Sequence, residues 1–64
     1  MCESSVYLKT DQTETLVMEN VAAITPCGEN RFLLRGLLGE SQEVAGTIED
    51  INLMAHKIVL RAYE

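Results

Sequence analysis

Apolar and polar residues alternate along much of this chain with the two-residue period of half-buried β-strands. From Glu3 to Lys9, Ser4, Val6 and Leu8 share one face while Ser5, Tyr7 and Lys9 share the other. Thr10-Asp11-Gln12-Thr13 reads as a polar turn. Residues 14–19 follow, and the run Leu16-Val17-Met18 breaks the alternation, which predicts a strand buried on both sides or slightly bulged. Asn20 interrupts, and residues 21–25 predict a short third strand that Pro26, having no N–H, would end. A helix over residues 14–24 competes, on Leu16, Ala22, Ala23 and the glutamates. The β-branched residues and the tight turn that follows favour strand.

Pro26-Cys27-Gly28-Glu29-Asn30 predicts the clearest turn, joining two antiparallel strands. The next strand is expected over residues 31–38, with Phe32, Leu34 and Leu38 of one parity and a bend at Gly36. Gly39-Glu40-Ser41 turns the chain, residues 42–50 predict a strand that bends at Gly46, and residues 51–54 run on toward another turn. Ala55-His56 leads into a last strand over residues 57–63, where Ile58, Leu60 and Ala62 oppose Lys57, Val59, Arg61 and Tyr63. Five to six short strands with regular turn signals predict an all-β fold. The expected form is a small antiparallel curled sheet or SH3-like barrel, one domain over residues 1–64.

At 64 residues the chain buries only about 60% of its unfolded surface, so its stability alone is marginal. Homodimerisation is the economical way to bury more. Two cysteines allow no disulfide scaffold, and with neither signal peptide nor long apolar run the expected compartment is the cytoplasm, away from membranes. The net charge of −5 favours cations over polyanions as ligands.

Catalytic machinery is nearly absent, and the expectation is a protein that is not an enzyme. The single histidine, His56, is far in sequence from both cysteines, and C-x₂-C, H-E-x-x-H and calcium-loop spacings are missing. A lone turn histidine is normally solvated, and Cys27 in its turn is either a plain turn residue or a partner of Cys2. Cys2 has the more specific chemistry. Removal of Met1, which a side chain as small as Cys permits, would give one residue an α-amine titrating near ~8 and a thiol near ~8.5. A thiophilic cation would displace both protons and close a five-membered N,S chelate. With the Glu3 amide, or the same pair from a second chain, this flat donor set suits Ni(II) or Cu(II). A competing function is a small β-barrel RNA-binding module. On strand parity Tyr7 and Lys9 share one outward face and Lys57, Arg61 and Tyr63 another, and basic and aromatic groups on a sheet can bind single-stranded RNA.

The chain resembles the CooT family of small nickel-binding proteins, which assist maturation of carbon monoxide dehydrogenase. The resemblance runs through Met1-Cys2-Glu3, Val6-Tyr7-Leu8, residues 16–21, Leu38-Gly39-Glu40 and residues 51–60, with Cys2 as its specific part. It implies a homodimeric metallochaperone that binds Ni(II), the family's cysteine ligand falling on Cys2 and on no other residue. Its client would be a nickel enzyme such as carbon monoxide dehydrogenase. The hydrogenase-maturation HypC proteins are similar in being small β-barrels that begin Met-Cys, but the rest of the sequence fits them poorly.

Overall fold

The computed structural model describes residues 3–62. Among these the chain forms five strands and no helix: β1 Ser4–Thr10, β2 Thr13–Gly28, β3 Arg31–Gly36, β4 Ser41–Asn52 and β5 Lys57–Ala62. They form a closed barrel in the order β1-β2-β3-β4-β5, which is the all-β small barrel expected from the alternation. Four of the strand pairs are antiparallel. The pair that closes the ring, β1 with β5, is parallel, with Ser5 opposite Lys57 and Lys9 opposite Arg61. Side-chain alternation carries no information on strand order, so this departure from an antiparallel sheet had no signal in the pattern.

Two long, bent strands let so short a chain close a ring. The first half of β2 pairs with β1 and the second with β3, the change falling at Val21, which faces both Ser4 and Gly36. The first half of β4 pairs with β3 and the second with β5, the change falling at Gly46. The backbones cross closely there. A Cβ on Gly46 would meet the Arg61 carbonyl oxygen at 2.5 Å, and the Gly46 N–H donates to the Asn30 carbonyl at 2.7 Å.

The separate strands expected over residues 14–19 and 21–25 are thus one strand, β2. Asn20 does not end it but takes a left-handed backbone (φ 54°) inside a bulge, a conformation that Asn tolerates well. Further irregularities at Val17, Ala22 and Cys27 account for the broken alternation. Nor does Pro26 end the strand, which runs on to Gly28. Beyond Val21 this stretch has β3 on one side only, and an edge tolerates a residue without an N–H. Gly36 closes β3 two residues before the expected end, so Leu37 and Leu38 are turn residues. β4 extends two residues past Asp50, and the last strand is described to Ala62, with Tyr63 outside the described residues.

The expected parities hold at Val6, Leu34 and Leu60, but Val59, expected on the face opposite Leu60, is buried as well. Val6, Leu34 and Leu60 are fully buried and pack with Met18, Val21 and Val44. The barrel has two rims. At one, the chain enters β1 at Ser4 and turns through residues 37–40 and 53–56; at the other it turns through Asp11-Gln12 and Glu29-Asn30. Among the described residues no helix is long and apolar enough to cross a membrane.

Candidate functional site

The entry rim is held by backbone hydrogen bonds on both sides of β1. The Ser5 N–H donates to the His56 carbonyl at 2.9 Å, anchoring the β4–β5 turn beside the start of β1. The Leu37 N–H donates to the Asn20 carbonyl at 3.0 Å, fixing the β3–β4 turn against the β2 bend. Each turn has its own internal lock. In the first, Gly39 takes φ 93° and a Glu40 carboxylate oxygen accepts from the Leu38 N–H at 3.1 Å. In the second, the Asn52 Oδ1 accepts from the Ala55 N–H at 3.0 Å and His56 takes φ 54°. His56 is a turn residue as expected, with an exposed side chain.

Cys2, the candidate metal ligand, lies outside the described residues. Covalent geometry alone keeps its Cα within about 8 Å of that of Ser4, because consecutive Cα atoms are ~3.8 Å apart.

Cys27 lies on a bulge of β2 next to the opposite rim, with an exposed side chain. The six residues of strand between Val21 and Cys27 span roughly 20 Å at ~3.3 Å per residue. The alternative pairing of Cys27 with Cys2 falls on a residue outside the described ones. Its Sγ donates to a Glu43 oxygen at 3.1 Å, and the other Glu43 oxygen accepts from Arg31 at 2.6 Å. The hydrogen bond to Glu43 raises the thiol above its ordinary value, the reverse of what a thiolate ligand needs. Arg31 in turn holds the Glu43 carboxyl below the usual carboxylate range.

The two basic faces read from the sequence are one surface. Parallel pairing of β1 with β5 sets Tyr7 beside Val59 and Lys9 beside Arg61, and Lys57 stands over the Tyr7 ring at 4.9 Å. Its cations are already engaged. Lys9 and Arg61 share Glu49 at 3.2 and 2.9 Å, and Lys57 meets Glu14 at 2.9 Å. Glu49 occupies a β4 bulge that turns it toward both partners. The surface therefore carries paired charges rather than a run of open cations for phosphates.

Among the described residues no three His, Cys, Asp or Glu side chains form a group able to hold a metal ion, and no pocket is enclosed. Sequence reasoning missed the apolar character of the entry rim. Leu37, Leu38, Leu53 and Met54 all stand exposed there, Leu38 and Met54 at 92%. The signal was present as two apolar pairs, each at a turn, where polar residues are usual.

The family model described as CO dehydrogenase accessory protein CooT matches residues 1–61, a span that includes Cys2. The chain belongs to the CooT family. A crystal structure reported as that of a "putative CooT from Carboxydothermus hydrogenoformans" superposes with a TM-score of 0.88 at 27% identity, covering 98% of this chain and 100% of that one. The fold of this chain is thus shared with that structure. No curated protein matches the sequence.

Proposed function

We propose that this CooT family member is a nickel-binding accessory protein for maturation of carbon monoxide dehydrogenase, working in the cytoplasm and catalysing no reaction itself. Two copies hold one Ni(II) ion as cargo, each through Cys2. The observation that carries this reading is the family match over residues 1–61, joined to the place of Cys2 close ahead of the strand that opens the entry rim.

The donor set fits the ion. A thiolate with the backbone amide of Glu3, or with the α-amine where Met1 has been removed, supplies S and N donors of the kind that suits Ni(II) in a flat geometry. A site of few ligands suits delivery, because it releases metal more readily than a closed four-ligand cage. Affinity order alone would prefer Cu(II), so selectivity rests on geometry and on which metal the cell supplies.

The test is Cys2→Ser, assayed by calorimetric titration with Ni(II) and by thermal melting. Loss of stoichiometric binding with an unchanged melt is expected, and retained stoichiometric binding would overturn the assignment. Because the thiol must lose its proton, wild-type affinity should fall as pH drops below about 7.

A further inference from the structure

We infer that the free edge of β2 over residues 23–25, with Arg35 beside it, takes up an extended acidic segment of a partner protein as an added strand. This docking depends neither on nickel nor on Cys2.

Bending leaves two stretches of the ring with a neighbour on one side only. Past Val21, β2 has left β1 and pairs with β3 alone; ahead of Gly46, β4 pairs with β3 alone. Among the described residues no backbone hydrogen bond apart from the β2–β3 ladder reaches residues 23–25. Their backbone groups on the side away from β3 are thus open to an added strand. The two edges differ in charge. The β4 edge carries Glu43 and follows Glu40, whereas residues 21–25 carry no charge. A bulge at Ala22 and the missing N–H of Pro26 bound the β2 edge. They leave room for one short segment and bar continuous growth of the sheet.

Arg35 selects what that segment carries. Of the five basic side chains, Lys9 and Arg61 share Glu49, Arg31 meets Glu43 and Lys57 meets Glu14. Arg35 is exposed and, among the described residues, is the one basic side chain without a carboxylate partner. Its neighbours across the sheet are Ala23 and Ser41, and all three share the outer face, opposite in parity to buried Leu34. A strand added beside Ala23 lies two spacings from β3, about 10 Å at ~4.8 Å each. Ala23 places nothing beyond its Cβ in between, so the guanidinium and a partner carboxylate can meet above it in a bidentate pair. The residue next to that carboxylate falls on the inner face beside half-buried Ile24, a position that suits an apolar side chain. A second copy of this chain does not fit. Two such edges paired about a two-fold axis would aim two Arg35 guanidiniums over one seam, between chains that each carry −5.

The test titrates the isotope-labelled, metal-free full chain with a capped heptapeptide of alternating valine and threonine, valine at both ends, in which glutamate replaces the central threonine. NMR shifts of the amides of residues 22–25 and of the Arg35 side chain should move most. Glutamine in place of the peptide's glutamate should weaken binding at least fivefold. Arg35→Glu should keep the wild-type melt, lose at least tenfold in affinity for the glutamate peptide, and prefer a peptide with lysine at the central position. A glutamate peptide N-methylated through its central residues keeps the charge, cannot add as a strand and should not bind. The inference is overturned if millimolar peptide leaves residues 22–25 unmoved or moves residues 41–45 instead. It is equally overturned if Arg35→Glu binds the glutamate peptide as wild type does, or if the N-methylated peptide binds as well as its parent. Shifts at residues 22–25 on dilution without peptide would make the occupant a second copy, which also overturns it.

Discussion

At one rim of the barrel the chain turns through Asp11-Gln12 and Glu29-Asn30; at the other it turns through Leu37-Leu38-Gly39 and Leu53-Met54-Ala55-His56. Both rims solve the same backbone problem, reversing a strand with a residue in the left-handed region. Asp11 (φ 52°) and Asn30 (φ 56°) serve at the first, Gly39 (φ 93°) and His56 (φ 54°) at the second. The first rim spends its remaining turn positions on polar side chains, as solvent favours. The second exposes leucine and methionine instead. Residues at the polar rim are therefore those that turns in solvent favour, whereas the apolar side chains of the entry rim stand exposed where the turns do not require them.

If that contrast is right, substitutions at the polar rim should cost stability and those at the apolar rim should not. The largest effect is expected from Gly46→Ala, whose Cβ would run into the Arg61 backbone carbonyl where β4 changes partners. Overpacking of this kind costs about 1–3 kcal/mol. Chemical denaturation would measure it, and in a domain this small the melting temperature should fall by several degrees per kcal/mol. Asn30→Val comes next. A β-branched residue at φ 56° costs roughly 1–2 kcal/mol. The Asn30 carbonyl also receives the Gly46 N–H, so strain there reaches the β4 bend.

At the entry rim, Leu53→Ser with Met54→Ser should change the stability of the monomer by no more than about 0.5 kcal/mol, the usual range for surface positions. The denaturation midpoint at low protein concentration would check this. A large loss would mean that these side chains pack within the chain, and the contrast between the rims would fail.

The smallest effect concerns acid. Glu43 and Glu49 are held below the usual carboxylate range, the first mainly by the Arg31 hydrogen bond and the second mainly by Lys9. The unfolded chain thus binds these protons more readily than the folded one. Their contribution is complete above the ordinary carboxylate value of ~4.3 and is lost as pH falls through the lower folded value. Melts recorded from pH 7 down to pH 3 should show a shallower acid decline for Glu43→Gln than for wild type. The pairs are exposed, so added salt should shrink the difference.

Much of the barrel was legible in the sequence because alternation reports directly on burial. Val6, Leu34 and Leu60 stood on the predicted inner faces and are the best-buried side chains. The unity of β2 was not legible. A bulge shifts the parity by one residue and so mimics a strand end, which is how Asn20 and Pro26 came to read as terminators. Closure through the parallel β1–β5 pair was equally hidden, and with it the fact that two basic faces are one surface whose cations face Glu14 and Glu49. The candidate site divides in the same way. Cys2 was singled out by its position and by resemblance to the CooT family. The apolar turns needed the fold to show that residues 37–38 and 53–54, far apart in sequence, share a rim.

The central claim is that Cys2 of two chains holds one nickel ion. Ni(II) would be titrated into protein whose N-terminus has been established by mass spectrometry, following the thiolate-to-metal charge-transfer absorption and the metal-to-chain ratio. A band that saturates at one metal per two chains is the predicted result. No band from protein proven to lack Met1, or saturation at one metal per chain, would contradict the account.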